Sequence, residues 1–346
     1  AVFTTAPTAA ITDGTAGQVL TTNGSGVLSF SDMASGADLY AANLDTGYGS
    51  DPSATGSNAV AIGRTAVASG STSFAAGFSA DATSTDSLAL GRDANANGTG
   101  TTAIGLNAKS VGTRSFAAGN SYASNADSFA ASIANNTSSY GATGANSVAI
   151  GYLAKASTGD VGIGYTANAS STYTTAIGYN ARTTATQAVA IGRDALGSGQ
   201  YSLAIGGNGP TASGNSAIAM GGDATAQGTH SFAMGSYAKA IEYGKFVRAS
   251  GRFAATGDVQ TGISVLRSDT TDATAEALTS NNSTPSTDNQ IILPNNSAYS
   301  FSGTIIARES ATDGSDYASW EIKGALLRDA NAASTVLGNG IVNKLY

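Results

Sequence analysis

A four-residue block, apolar-Ala-apolar-Gly, recurs thirteen times and leaves this chain few architectures to choose from. It reads VAIG at 60–63, FAAG at 74–77, LALG at 88–91, TAIG at 102–105 and FAAG at 116–119. A degenerate FAAS follows at 129–132, then VAIG at 148–151, VGIG at 161–164, TAIG at 175–178 and VAIG at 189–192. LAIG at 203–206, IAMG at 218–221 and FAMG at 232–235 complete the series. Most copies are 14 residues apart, with 13 or 15 in places and one interval of 19 between Ser132 and Gly151. Fourteen residues are too few for a helix plus a strand or for a propeller blade. They suit two short strands and two tight turns, which is one coil of a β-solenoid.

The columns agree. Two residues before the glycine, twelve copies carry Ala and one carries Gly162. Three residues after it, ten of thirteen carry Ala: Ala66, Ala80, Ala94, Ala108, Ala154, Ala167, Ala181, Ala195, Ala224 and Ala238. Those alanines alternate with polar residues such as Ser79 and Asp81, or Asn107 and Lys109, so the second strand has one buried face and one wet face. The first strand is apolar throughout, as expected of a strand covered on both sides. A two-strand coil covers only one of those sides. Two Val- or Ile-sized residues per coil are also too few to offset the entropy of ordering fourteen residues. The expectation is obligate homo-oligomerisation through the first strand, closed and cyclic. The small column, Ala61, Ala75, Ala89, Ala103, Ala117, Ala130, Ala149, Ala176, Ala190, Ala204, Ala219 and Ala233, lines either the roll interior or the oligomer interface. Stacked at about 4.8 Å, thirteen coils make a rod of roughly 60 Å. The glycine fits a corner that needs an unusual dihedral or a close approach.

Composition excludes several classes. The 346 residues include 44 glycines and 41% apolar residues but only 11% charged ones, which is too apolar for a disordered chain. The net charge of -7 argues against a nucleic-acid partner. No cysteine is present, so there is no disulfide framework or thiolate metal site. No apolar run reaches the length of a membrane span, and no signal peptide opens the chain. The start at Ala1 suggests processing or a fragment.

The runs "SNAVAIG", "NSVAIG" and "QAVAIG", each followed by x-x-Ala, resemble the head repeats of YadA-like trimeric autotransporter adhesins, which also occur in bacteriophage tail fibres. The resemblance covers about residues 57–240. It implies a left-handed parallel β-roll assembled as a homotrimer. Residues 1–56 form an N-terminal region in which Val19–Thr22 and Val27–Phe30, around Asn23-Gly24, give a hairpin signal. That stretch resembles modules near the N-terminal side of phage tail fibres. From residue 241 the Ala/Gly register stops. "KFVRASGRF", "QIILPNNSAYSFSGTIIARE" and "ASWEIKGALLR" read as strands of a separate β domain, 241–346, similar to one that follows such repeats in marine-phage tail fibres. The final "GIVNKLY" reads as the beginning of a strand, which implies that the chain stops inside its last domain.

No constellation points to catalysis, a cofactor or a metal. His230 is a lone histidine in a repeat turn and is read as structural. Asp269, Asp272 and Glu276 lack the glycine and spacing of a calcium loop, and Asp313-Gly314-Ser315-Asp316 is read the same way. Gly162-Ile163-Gly164 imitates part of a dinucleotide fingerprint, but no helix follows. Two features suit binding. One is the column after the glycine, Arg64, Arg92, Tyr152, Tyr165, Tyr179 and Arg193, which forms either a ridge able to stack on sugars or packing between protomers. The other is the long coil at 133–147, expected to bulge and carry Asn136 and Tyr140 as receptor contacts. The expected protein is an all-β, homotrimeric left-handed β-solenoid flanked by small β domains. The function expected of it is that of a non-enzymatic phage tail fibre on the virion. Its partners are itself, other tail or baseplate proteins and a bacterial surface glycan or protein, with no membrane insertion. The alternatives are the head of a bacterial surface adhesin and, behind it, a polysaccharide-degrading tailspike.

Overall fold

The computed structural model of the chain describes residues 18–22, 28–32, 51–134, 139–272, 274–309 and 316–346. The chain divides into two compact units, residues 1–182 and 183–346. Each is a β structure, and the one helical element among the described residues is a 3-10 turn, Ala332–Ser334.

In the first unit, three-residue strands such as Val60–Ile62, Phe74–Ala76 and Leu88–Leu90 stack in parallel, block on block: Val60 pairs with Phe74, Ala61 with Ala75 and Ile62 with Ala76. Two-residue strands such as Val67–Ala68 and Asp81–Ala82 form a second parallel ladder. Two short strands and two turns close each coil, as the repeat requires. The second ladder opens at Ser53–Ala54, before the first glycine block. Upstream, Gln18–Thr22 and Leu28–Asp32 pair antiparallel as a hairpin, with Thr22 opposite Leu28. The Asn23-Gly24 turn expected between them lies outside the described residues.

A three-residue strand puts its first and third side chains on one face and its middle side chain on the other. The middle residue faces in. Ala61, Ala75, Ala89, Ala103, Ala117, Ala130 and Ala149 are completely buried. From the second strand they meet Ala66 and Ala68, Ala80 and Ala82, and Ala154 and Ala156, also completely buried. The larger residues at the first and third positions share the outer face and stay half-buried, with Ile62 and Ile104 each 38% exposed. This corrects the expectation of two Val- or Ile-sized residues buried per coil. The roll interior of a single chain is alanine, and its large apolar side chains point away from it.

A second inward column was missed by the sequence reading. Four residues before the glycine, Ser87, Thr101, Ser115, Ser128 and Ser147 are buried. Each hydroxyl donates to the carbonyl three residues earlier at 2.6–2.7 Å, so a buried polar group is satisfied within its own turn. Asp160 takes this position in one coil. Its carboxylate accepts the amides of Thr174 (2.7 Å) and Ser157 (3.2 Å), and burial holds its pKa above the ordinary carboxylate value.

The corner glycines satisfy both halves of their expectation. Gly63, Gly91 and Gly164 have φ of 108°, 126° and 131°. A Cβ on Gly164 would lie 2.4 Å from the carbonyl oxygen of Gly178 in the next coil. Two residues on, the turn is again left-handed: Thr65, Ser79, Asp93, Asn107 and Leu153 all have φ between 51° and 58°. Ser79 and Asn107 therefore sit in a turn, not on the wet face of the second strand. The polar residues of that column are there because they tolerate this conformation, not because a strand face is wet.

In the second unit the same ladders run through Val189–Ile191, Leu203–Ile205, Ile218–Met220 and Phe232–Met234. They do not stop at residue 240. Phe246–Arg248 pairs parallel with Phe232–Met234 as a further coil, with Val247 buried in the alanine column and Ala249 in the place of glycine. "KFVRASGRF" thus belongs to the solenoid, because the 14-residue spacing from Phe232 sets its register despite the changed residues. Thr261–Ile263 then pairs antiparallel with Phe246–Arg248 and closes that edge. Beside the last coil, Lys245 and Glu242 form a buried ion pair at 2.9 and 2.8 Å.

The unit ends in a three-stranded antiparallel sheet: Ser297–Arg308, Tyr317–Arg328 and Thr335–Lys344. "GIVNKLY" closes the third strand instead of opening one. The Gly338-Asn339-Gly340 segment is a bulge, with Asn339 at φ 48° and the pairing shifting between Lys323 and Ala325.

The corner geometry yields a contrast between two glycines. Gly164→Ala should destabilise the chain by more than about 1 kcal/mol, since both its φ and its contact forbid a side chain. Gly207→Ala has nothing within 4 Å of the new Cβ and should stay within about 0.5 kcal/mol. Thermal unfolding of the two variants beside the parent chain measures the difference.

Candidate functional site: the ridge at the solenoid corner

The corner turn positions the candidate residues. In Gly63-Arg64-Thr65-Ala66 the amide of Ala66 donates to the carbonyl of Gly63 at 3.1 Å, and Thr65 takes the left-handed conformation that such a turn needs at its third residue. The residue after the glycine is left at the outside of the bend. Successive turns are tied together, for example Ser79 N to Arg64 O at 3.0 Å, so side chains of this column stand one above another.

Tyr152, Tyr165 and Tyr179 stack on each other as a ladder. Their ring centroids are 5.0 and 5.1 Å apart and the ring planes are within 13° and 5° of parallel. The rings are 46, 48 and 55% exposed in the single chain. The faces that would stack on a sugar are taken by the neighbouring rings, above all at Tyr165. What the ladder offers a ligand is a row of ring edges and hydroxyls. Elsewhere in the column the Arg64 guanidinium lies over the Phe78 ring at 4.5 Å. Arg92 pairs with Asp93 at 3.3 Å, while Arg193 donates to Asn208 Oδ1 at 2.9 Å.

The long coil is arranged differently from expectation. Asn136 lies outside the described residues. Tyr140 occupies the inward alanine column of the second strand, beside the Gly141–Ala142 strand, and packs against the alanine core. Ile133, which follows the degenerate Ser132, turns inward and is completely buried. The two side chains bracket the insertion at its base, so Tyr140 anchors the loop.

Further exposed aromatics lie at the other bend of the coil and escaped the sequence reading. Tyr173 and Tyr201 are 66 and 52% exposed, at φ 59° and 57°. Their signal was a 14-residue column five before the glycine, obscured because Asn58, Asp86, Arg114 and His230 share it. Arg114 and Asp127 in that column form a two-pronged ion pair at 2.7 Å, which holds the Asp127 carboxyl below its ordinary pKa. His230 stands edge-on to Tyr243 at 5.3 Å.

The acidic groups of the C-terminal part do not converge. Glu276 accepts from the Ser268 hydroxyl, Asp269 from Asn282, and Asp272 from the Thr274 amide. Among the described residues no three His, Cys, Asp or Glu side chains are grouped as a metal site. Of the Asp313-Gly314-Ser315-Asp316 loop, only Asp316 is described.

The model of the YadA head domain repeat, which spans two copies of the unit, matches residues 54–80, 82–108, 96–121, 142–160, 158–181, 169–195, 184–208 and 212–238. Residues 54–238 of the chain belong to this adhesin-type repeat family. The matches pass over 122–141, which holds the long coil, and 209–211, where Pro210 enters a 15-residue coil. No curated protein matches the chain. No helix among the described residues is long and apolar enough to cross a membrane.

The ladder is open to test by substitution. Tyr165→Ala removes both stacked pairs and should lower stability by about 1–3 kcal/mol, with loss of near-ultraviolet circular dichroism from the coupled rings. Tyr165→Phe keeps the stacked rings and should keep the stability, although it loses the tyrosine circular dichroism.

Proposed function

We propose that the chain is the shaft and adjoining domains of a homotrimeric bacteriophage tail fibre, a non-enzymatic protein that gives reach and polyvalent binding to a bacterial surface. One observation carries the reading: the roll interior is filled by alanine while the large apolar side chains line an outer face left half-bare. A solenoid built this way is completed by copies of itself. The resemblance to YadA-like head repeats supports three copies and a left-handed roll. Three copies of one weak ridge then act together through effective concentration. The hydroxyl edges of Tyr152, Tyr165 and Tyr179 suit a cell-surface glycan or protein receptor, as does the loop that carries Asn136.

In this reading the residues before Ser53 face the particle and other tail or baseplate proteins, and the residues after the coil at Phe246–Arg248 face the host. The antiparallel hairpin at one flank and the three-stranded sheet at the other support it, because both are β modules appended to the shaft. The family match favours a second reading, the head of a surface adhesin on a bacterium. In either case the work is mechanical and adhesive, and no cofactor is needed.

Gold-labelled antibody raised against the chain separates the two readings. Applied to phage particles and cells from the source culture, it should decorate tails. Label confined to the outer surface of uninfected bacteria contradicts the tail-fibre assignment in favour of the adhesin.

A further inference from the structure

The C-terminal sheet has one apolar face that its own chain leaves unfinished. Pairing places Ile305 opposite Trp320, and Ile322 opposite both Gly303 and Val342. Phe301 and Leu337 fall on the same face by the same register. The opposite face mixes Ser302, Thr304 and the Lys323–Glu321 ion pair (2.7 Å) with Ile306, Leu327, Val336 and Ile341, and it is the more exposed and wetter of the two. Nothing on the apolar face is fully buried: Leu337 is 59% and Val342 68% exposed. Beyond Ala249, Leu293 is the one buried apolar residue among the described residues. A sheet with one wet face and one apolar face needs a second layer over the latter.

We propose that this second layer is the same face of two further copies of the chain, so that three C-terminal sheets enclose one core. The inference rests on the homotrimer reading above. Three strands at about 4.8 Å and twelve residues at about 3.3 Å make a face of roughly 14 by 40 Å, or about 560 Å² per copy. Three such faces bury roughly 1,700 Å², which is the scale of a stable specific interface. Identical patches meeting around one axis close without leaving a free patch. Aromatic anchors such as Trp320 and Phe301 suit the centre of such a contact.

The test uses the full chain. Trp320 is its only tryptophan and there is no cysteine, so both probes are free of background. Acrylamide quenching of the unsubstituted protein, beside its sedimentation, reads the face without any change to it. Leu337→Cys and Val342→Cys on the apolar face, and Ser302→Cys on the wet face, are then oxidised mildly and resolved on a non-reducing denaturing gel. Expected are Trp320 quenching several-fold weaker than in denaturant, and interchain bands at least about ten-fold stronger from the first two variants than from Ser302→Cys. A chain that sediments as a trimer while Trp320 quenches as freely as in denaturant overturns the inference alone. It would mean that a receptor or another tail protein covers the face. A chain that sediments as a monomer overturns the homotrimer reading and this inference together.

Discussion

The structure depends on how closely one coil's backbone lies on the next at the corners. At Gly164 an added Cβ would meet the next coil's carbonyl oxygen at 2.4 Å, and at Gly192 at 1.9 Å. Only glycine in its left-handed or extended positive-φ form fits there. With corners this tight, the space between the two strands admits alanine and a buried hydroxyl, and little more. The larger apolar side chains of the repeated block are pushed to the outer face of the first strand, with Val247 in the last coil as an exception. The same constraint that makes the coil regular also makes the single chain incomplete.

Function follows from that incompleteness. If copies of the chain cover its large side chains, as proposed, only the bends and loops are left for other partners. The bends carry the stacked tyrosines, the arginine–aspartate pairs and the left-handed turn residues. The left-handed turn residues recur from coil to coil, and the tyrosine ladder stacks through three successive coils. Within the shaft Arg114 is matched by Asp127, and Asp160 is enclosed by backbone amides.

The solenoid was legible because its determinants are local and periodic. Glycine at the corner and alanine at the two inward columns can be read from a single coil and are confirmed by the next. Serine four before the glycine was just as periodic, in nine of thirteen coils counting threonine, but a polar residue beside an apolar run reads as a turn until its hydroxyl is seen to bond its own turn. The coil at Phe246–Arg248 was missed for the opposite reason. Its period was right but Val247 and Ala249 broke the residue pattern, and backbone register follows period. The inward place of Tyr140 was not legible, because neighbours in sequence say little about which side of a bend a residue takes. At the C-terminus Gly338-Asn339-Gly340 was indistinguishable from a hairpin turn, since bulges and turns use the same residues for the same φ.

The central claim is that the outer face of the first strand is covered by copies of this chain. Sedimentation equilibrium of the purified protein tests it most directly. The account predicts a mass of about three times 33.9 kDa that persists on dilution into the nanomolar range. A stable, folded monomer of 33.9 kDa would contradict it.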